Sequence, residues 1–161
     1  MAMVYQGAGR HVQVGITLIE LLVVVAIVAI LATVAYPSYL DHIRRAARAD
    51  AEGELLQAAQ FLEGNRTINN CYDQTIPICC VDPTNLVCPS LVALPITQSP
   101  RDGVAKYTIT VAFGATPSQT FTVSATPTGA YADADCGTLT INQLSQKTES
   151  GTKDVAYCWK Q

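Results

Sequence analysis

A single carboxylate, Glu20, lies near the start of a long apolar run that extends from Ile16 to Tyr36. As a helix, the run would measure about 31 Å at ~1.5 Å per residue, close to the thickness of a bilayer's hydrocarbon core. A charged side chain deep in a bilayer costs roughly 2.5–3.5 kcal/mol on insertion scales. Glu20 is therefore either an interfacial residue whose side chain reaches toward water, or a carboxylate that serves a positively charged partner.

Six cysteines form the second group of residues that can do chemistry, and all of them follow the apolar run. They are Cys71, Cys79, Cys80, Cys88, Cys136 and Cys158. An even number confined to one side of a membrane segment predicts disulfides made in an oxidising compartment. A zinc site is the alternative, but it favours cysteine pairs separated by two to four residues, often with histidine, and the sequence lacks that pattern. We predict disulfides and no metal site.

The sequence has no pattern typical of an active site. Its two histidines are His11 and His42, and no nucleophile elbow, phosphate loop or paired-ligand motif is present. We predict no catalytic residues, no cofactor and no enzymatic activity.

The apolar run continues into an amphipathic helix. Apolar residues recur at steps of three and four and predict one buried stripe, which ends at Gly64-Asn65. Pro37 lies between the two halves and should kink the helix. A signal peptide cleaved near Thr33-Val34-Ala35 is the alternative, but the run exceeds the usual length of about 7–15 residues. The stripe comprises Leu40, Ile43, Ala47, Ala51, Leu55, Ala58 and Leu62.

The rest of the chain predicts a small β-sheet head. Residues 67–101 are rich in proline, asparagine and cysteine, which predicts loops. Residues 105–113, 120–126 and 137–144 alternate apolar and polar side chains, which predicts antiparallel strands with one buried face, and residues 155–159 predict a last short strand. The inward side chains would be Tyr107, Ile109, Val111, Phe113, Phe121, Val123, Ala125, Leu139 and Ile141. With the amphipathic helix covering that face, the predicted fold class is α+β.

The charge balance gives no general reason to expect nucleic acid as a partner, because the net charge is −3 and the pI is about 5.2. Arg44, Arg45 and Arg48 form one basic cluster, for which three interpretations stay open. It is a solvated helix face, a marker of the cytoplasmic side, or a set of partners for Asp50, Glu52 or Glu54. The second interpretation is disfavoured because the cluster follows the apolar run.

The segment Gly15-Ile16-Thr17-Leu18-Ile19-Glu20, with a membrane-length helix that ends at Tyr36-Pro37-Ser38-Tyr39, resembles the class III signal of type IV pilins. Residues 35–63 resemble the continuing helix of that family. Residues 136–159 resemble its C-terminal disulfide-bounded region, particularly in PilE-type minor pilins. The resemblance implies the pilin fold, in which a long N-terminal helix packs on a small antiparallel sheet. It also implies a structural subunit of a bacterial type IV pilus, which supports pilus biogenesis, twitching motility and adhesion.

The resemblance also implies how the N-terminus is processed. A prepilin peptidase would cut after Gly15, remove residues 1–15 and leave Ile16 as a methylated N-terminus. Glu20, with Thr17 beside it, would then serve assembly by meeting the Ile16 amine of a neighbouring subunit. Opposite charges about 4 Å apart gain on the order of 4 kcal/mol at an effective dielectric near 20. Ile16 stands where the family usually has phenylalanine, and Ala29 stands where many members carry glycine.

The implied organisation has four parts: the leader 1–15, a transmembrane and filament-core helix over 16–36, an amphipathic helix over 37–64 and a globular head over 65–161. The implied location is the inner membrane in a single pass, with the head in the periplasm, and later the extracellular pilus. The implied partners are other pilin subunits, the prepilin peptidase and the pilus assembly machinery.

The resemblance implies a Cys136–Cys158 disulfide. For the remaining four cysteines we prefer Cys71–Cys79 with Cys80–Cys88, because adjacent cysteines seldom bridge each other. Cys71–Cys80 with Cys79–Cys88 is the alternative.

Two other functions stay open for a chain with this N-terminus. One is a minor pilin for DNA uptake, in which Lys147, Lys153 and Lys160 would converge on one surface, although the head is slightly acidic. The other is a pseudopilin of a type II secretion system, which is disfavoured because the common major pseudopilins usually lack the C-terminal cysteine pair. Asn65-Arg66-Thr67 also matches a glycosylation sequon.

Overall fold

The computed structural model describes residues 16–75, 92–129 and 131–159 of the chain. The chain forms two compact units, whose boundary falls between Leu40 and Asp41. The elements follow in the order α1 (Leu18–Asn69), β1 (Gln98–Ser99), β2 (Tyr107–Phe113), β3 (Phe121–Pro127), β4 (Leu139–Asn142), β5 (Lys147–Thr148) and α2 (Val155–Cys158). One long helix followed by an antiparallel sheet confirms the predicted α+β class.

In the first unit, α1 exposes its apolar side chains on all sides. Every residue from Ile16 to Tyr39 is exposed. An 18-residue window of the helix has a mean hydropathy of 2.9, and none of that window is buried. By length and composition alone, this part of α1 is long and apolar enough to cross a membrane. A helix that is apolar all round fits a bilayer or a bundle of other helices rather than water.

The helix is longer than the sequence predicts. It passes through Pro37 and past Gly64-Asn65 and ends at Asn69, so the predicted end at residue 64 is wrong. The end coincides with Asn70, which has a left-handed φ of 71°, a conformation that asparagine tolerates better than most residues. The glycine at position 64 has open space around its Cα, so nothing in the packing stops the helix there.

Asn65, predicted as part of the helix stop, instead holds the chain that follows the helix. Its Nδ2 donates hydrogen bonds to the carbonyl oxygens of Cys71, Tyr72 and Gln74 at 3.1, 3.3 and 2.9 Å. The carbonyl oxygens after the helix gain a donor in this way, which they need because this part of the chain is buried. The amide of the matched sequon is therefore part of the fold.

The second unit contains a five-stranded antiparallel sheet in the order β1-β2-β3-β4-β5. Its three longer strands correspond to the three predicted segments, and β2 pairs with β3 from Tyr107↔Pro127 to Phe113↔Phe121. The sequence does not predict β1 and β5, because they have two residues each and two residues cannot show alternation.

The amphipathic half of α1 covers the inner face of this sheet. Five residues of the predicted stripe are buried, whereas Leu40 and Ile43 are half-buried. The buried apolar set on the helix is Ala47, Ala51, Leu55, Ala58 and Leu62, and the buried apolar set on the sheet is Tyr107, Ile109, Phe121, Val123, Ala125, Leu139 and Ile141. Because three of the five helix residues are alanines, the backbone of α1 can approach the sheet closely. The predicted buried stripe and buried sheet face are confirmed for these residues.

Residues 155–159 form no strand, which corrects the prediction. Val155–Cys158 is a single helical turn, α2, because Asp154 caps it: the side chain of Asp154 accepts a hydrogen bond from the Tyr157 N–H at 2.9 Å. Strand-like composition is overridden here by an N-cap residue directly in front of it.

Candidate functional site

The start of α1 is organised by Thr17 and Glu20. The Thr17 hydroxyl oxygen accepts a hydrogen bond from the Glu20 N–H at 3.3 Å, which is the contact of an N-cap residue. The Glu20 carboxyl therefore belongs to the first helical turn, where the partial positive charge of the helix N-terminus favours an anion. A shallow groove of about 210 Å³ at this end is lined by Ile16, Glu20, Leu21 and Val24.

The structure brings three of the predicted assembly and processing residues together at this end. Ile16, Thr17 and Glu20 lie within about one turn, and Ile16 is 75% exposed. Gly15 lies outside the described residues. Cleavage after Gly15, methylation of Ile16 and pairing of Glu20 with a neighbouring subunit stay predictions.

A second group of polar residues lies at the other end of the chain, in residues 131–159, which we term the C-terminal segment. Cys136 and Cys158 are joined by a disulfide with an S–S distance of 2.10 Å and Cα atoms 5.5 Å apart. The pairing implied by the resemblance is therefore present.

The predicted pairings of the other four cysteines stay predictions. Cys71 is disulfide-bonded, but Cys79, Cys80 and Cys88 lie outside the described residues. Neither Cys71–Cys79 with Cys80–Cys88 nor the alternative set is therefore tested.

A buried ion pair ties α1 to the C-terminal segment. Nε and Nη2 of Arg48 each lie 2.6 Å from an oxygen of the Asp133 carboxylate, and the two side chains are only 3% and 1% exposed. Arg48 Nη2 also lies 3.5 Å from Oδ2 of Asp135, and the guanidinium carbon lies 5.4 Å from the centroid of the Tyr157 ring. Arg48 therefore contacts residues just before each of the two bonded cysteines.

The hydrogen bonds around Asp133 define its protonation state. Burial raises the pKa of Asp133, but the hydrogen bonds from Arg48, Tyr107 and the Cys136 N–H, together with the positive charge of Arg48, lower it, and the net effect is a pKa below the usual value. The Tyr107 hydroxyl donates to Asp133 Oδ2 at 2.7 Å, and burial together with that carboxylate raises the pKa of Tyr107. The site therefore holds a buried carboxylate between a guanidinium and a neutral phenol.

The three arginines of the predicted cluster have different surroundings. Arg44 Nη1 lies 3.5 Å from the Asp41 carboxylate, and Arg45 Nε donates to the Asp41 carbonyl oxygen at 3.4 Å, which fits the predicted solvated face. Arg48 departs from the prediction, because its partner within the chain is Asp133.

Of the acids predicted as partners of that cluster, Glu54 pairs with a different arginine, whereas Glu52 lies near Arg48 and Lys147. Glu54 accepts from Arg101 Nε at 2.9 and 3.0 Å. Glu52 is buried, which raises its pKa, and the nearby positive charges of Lys147 and Arg48 oppose that rise. No sequence pattern points from Arg48 to Asp133, because the two residues are 85 positions apart.

The end of the C-terminal segment lies against its own start. The N–H groups of Ser150, Thr152 and Lys153 donate to the carbonyl oxygens of Cys136, Ala134 and Asp135 at 3.3, 3.4 and 2.8 Å. Gly151 lies at the closest approach of the two stretches, since a Cβ atom at this position would be 2.2 Å from the Asp135 carbonyl oxygen. The segment therefore has a defined path even where it forms no strand.

Three lysines lie over aromatic rings of the C-terminal segment. The Nζ atoms of Lys106, Lys147 and Lys153 lie 5.9, 4.9 and 5.9 Å from the ring centroids of Tyr131, Trp159 and Tyr157. An aromatic ring attracts a cation through its quadrupole but does not neutralise it, so each ammonium group keeps its charge. Lys160, the third lysine predicted for a basic surface, lies outside the described residues.

Within the described ranges, no group of three or more histidine, cysteine, aspartate or glutamate residues is placed to hold a metal ion. The described residues present an exposed apolar helix with one carboxylate, and a disulfide-closed segment with three lysines over aromatic rings.

Comparison with known proteins gives two family matches. Residues 37–140 match the family described as "Type IV minor pilin ComP, DNA uptake sequence receptor", and residues 12–36 match the "Prokaryotic N-terminal methylation motif". No curated protein matches the chain. Among solved structures, the type IV pilin from Shewanella oneidensis is similar, with 19% identity, coverage of 64% of this chain and 88% of that chain, and a TM-score of 0.41.

The ComP match covers about two thirds of the chain and includes the amphipathic part of α1, strands β1 to β3, the start of β4 and Cys136. The methylation motif covers the apolar start, where Thr17 and Glu20 lie. Together the two matches span residues 12–140 of the chain. The chain therefore belongs to the type IV minor pilin ComP family.

Proposed function

We propose that this minor pilin is cleaved after Gly15, methylated at Ile16, anchored in the inner membrane through α1 and then built into a type IV pilus with other pilin subunits. The single observation that carries the proposal is the surface of the chain from Ile16 to Tyr39, which is exposed throughout and predominantly apolar. Such a surface needs lipid before assembly and neighbouring helices afterwards.

Glu20 would set the register in which α1 packs against the helix of a neighbouring subunit. Its carboxyl lies in the first turn, close to the N-terminus that cleavage creates at Ile16. A carboxylate in a low-dielectric filament core is costly unless a positive charge lies nearby. The amine of Ile16 on a neighbouring subunit supplies that charge, because methylation leaves the amine positively charged.

Replacement of Glu20 by alanine tests this part of the proposal. The Glu20→Ala protein should be cleaved and methylated normally, as read by mass spectrometry of its N-terminus, but be absent or strongly reduced in sheared filaments. Thr33→Ala is the matched control, because Thr33 is polar and exposed, and its hydroxyl donates to the Ile30 carbonyl oxygen of its own helix. Normal amounts of Glu20→Ala in purified filaments would contradict the proposal.

A second function, DNA binding by the head, is favoured by the three lysines that rest on aromatic rings. Arg48, Arg101 and Arg44 are each paired with a carboxylate, so their charges are largely cancelled. The described residues contain no such pair for Lys106, Lys147 or Lys153. Ammonium groups of this kind can bind phosphate oxygens and release counterions from DNA.

The family description supports the same function, because it names a receptor for DNA uptake sequences. That match ends at residue 140, so Lys147 and Lys153 lie beyond it, and their role is argued from their geometry alone. The match to a minor pilin also favours a pilus over a type II secretion system.

Binding of duplex DNA to the full processed chain in detergent tests the second function. We expect binding at low salt that weakens as salt rises. The logarithm of the association constant should fall with the logarithm of the salt concentration, with a slope of about −0.9 for each phosphate contact. Combined Lys106→Met, Lys147→Met and Lys153→Met should abolish most of it. Arg101→Met is the matched control, because Arg101 is engaged by Glu54. If the chain bound no duplex DNA even at low salt, the proposed DNA binding would be contradicted, whereas the proposed role in the pilus would not.

A further inference from the structure

The contacts of Arg48 converge on one lysine of the C-terminal segment. We infer that Arg48 is the positioning residue for Lys153: it fixes the groups that hold both the backbone and the ammonium group of Lys153. In this role Arg48 does not touch DNA, but it sets where the Lys153 charge is presented. The inference rests on the proposed DNA binding, which it deepens by naming a residue that organises the binding surface.

The first link runs through the backbone before Cys136. Arg48 holds Asp133 with two bonds of 2.6 Å and approaches Asp135 at 3.5 Å. The Asp135 carbonyl oxygen in turn accepts the Lys153 N–H at 2.8 Å. The main chain of Lys153 therefore lies two contacts away from the guanidinium of Arg48.

The second link runs through the Tyr157 ring. Arg48 lies 5.4 Å from the ring centroid, and Lys153 Nζ lies 5.9 Å from the same centroid. Both cations therefore contact one ring, whose place is fixed further by the Asp154 cap of α2. Because both side chains contact the same ring, the position of Arg48 influences where the lysine side chain lies.

The close approach of Gly151 to Asp135 restricts the movement of the stretch before Lys153 relative to residues 133–135. Because a Cβ atom at position 151 would lie 2.2 Å from the Asp135 carbonyl oxygen, the two stretches touch at backbone distance. A displacement of residues 133–135 would therefore displace Gly151 and the Lys153 that follows.

Arginine suits this role better than lysine would. Its planar fork binds both carboxylate oxygens of Asp133 at once and so has one orientation. The burial of both side chains removes competing water, and the Tyr107 hydroxyl and the Cys136 N–H also donate to the carboxylate.

A double-mutant cycle in DNA binding tests the inference. The variants are Arg48→Met with Asp133→Asn, Lys153→Met, and all three changes together; the first removes both charges, so that no buried charge is left unpaired. Lys153→Met should weaken duplex DNA binding about threefold to tenfold at low salt and reduce the salt slope by about 0.9. Arg48→Met with Asp133→Asn should do the same, and the triple variant should lose no more than either.

Hydrogen exchange of the full chain in detergent provides a readout that does not require DNA. In Arg48→Met with Asp133→Asn, the Lys153 amide should exchange at least about tenfold faster, while the Val123 amide in the centre of the sheet should keep its protection. Arg44→Met is the matched control, because its partner Asp41 lies on its own helix, and it should leave the Lys153 amide unchanged.

Each outcome separates the inference from the function on which it rests. If the parent chain binds no DNA, the proposed DNA binding fails, and the exchange of the Lys153 amide still decides the role of Arg48. The inference would be overturned if the loss of DNA affinity in the triple variant equalled the product of the losses in the other two variants. It would also be overturned if the Lys153 amide exchanged at the same rate in Arg48→Met with Asp133→Asn as in the parent chain. Loss of protection at both Lys153 and Val123 would also overturn it, because Arg48 would then stabilise the whole fold.

Discussion

Arg48 and Asp133, 85 residues apart in the chain, form an ion pair in which two nitrogen–oxygen distances are 2.6 Å and both side chains are buried. The pair joins the long helix to the segment that the Cys136–Cys158 bond closes. The Cys136–Cys158 disulfide and the Arg48–Asp133 ion pair therefore hold the same part of the head, and the ion pair connects it to α1.

Breaking this pair from one side should be far more damaging than removing it whole. Arg48→Ala leaves the Asp133 carboxylate buried without its cation, which typically costs about 3–5 kcal/mol. Arg48→Met with Asp133→Asn leaves no unpaired charge and should lose much less. Urea unfolding of the processed chain in detergent measures both losses. An Arg48→Ala chain as stable as the parent would contradict the burial and geometry described for the pair.

The same pair should make the head sensitive to acid. Although burial raises the pKa of Asp133, its hydrogen bonds and the positive charge of Arg48 together place this pKa below its usual value, so the folded state favours the ionised carboxyl. The stabilisation is present above the unfolded pKa, about 3.9, and is lost as pH falls through the lower folded pKa. The melting temperature should therefore fall steeply below about pH 4, and the fall should be smaller in Arg48→Met with Asp133→Asn.

Glu52 provides the control for this pH dependence. Burial raises its pKa, an effect that Lys147 and Arg48 oppose, so protonation of Glu52 favours the folded state as pH falls. Glu52→Gln removes that contribution and should make the acid loss more pronounced. A pH profile that is identical in all three chains would contradict the assignment.

How much of this fold the sequence predicts depends on the range of the interactions involved. The alternation in residues 105–113 and 120–126 predicts β2 and β3, and the stripe from Ala47 to Leu62 predicts the buried face of α1, because both patterns repeat over many residues. β1 and β5 are too short to repeat anything. The Asp154 cap makes α2 a helix in spite of its β-branched and aromatic composition.

The same distinction between short-range and long-range interactions applies to the candidate site. Thr17 and Glu20 are close in sequence, so their spacing alone predicts that they share one helical turn. Proximity in sequence also groups Arg48 with Arg44 and Arg45, whereas the partner of Arg48 lies in another part of the chain. A buried ion pair between distant residues leaves no periodic signal, and only the fold brings the two charges together.

Gly151 should not tolerate a side chain. The Cβ atom of Gly151→Ala would lie 2.2 Å from the carbonyl oxygen of Asp135 and 2.6 Å from the carbonyl carbon of Cys136, both of them backbone atoms that cannot rotate away. Overpacking of this kind typically costs about 1–3 kcal/mol. Gly129→Ala is the matched control, because nothing lies within 4 Å of its added Cβ. Urea unfolding should show the loss for Gly151→Ala, and equal stabilities of the two variants would contradict the close approach.

Asn65 should act as a structural residue rather than a glycan acceptor. Its Nδ2 donates to three carbonyl oxygens, and Asn65→Asp would place an acceptor against them, leaving buried groups unsatisfied at a cost of about 1–3 kcal/mol. Thr67→Ala destroys the sequon but removes only a hydroxyl bonded to the Glu63 carbonyl oxygen of its own helix. Thr67→Ala should therefore change the intact mass by the substitution alone and leave stability nearly unchanged, whereas Asn65→Asp should lower the urea midpoint. A larger mass loss in Thr67→Ala would show that Asn65 carries a glycan and that its amide is free of the fold.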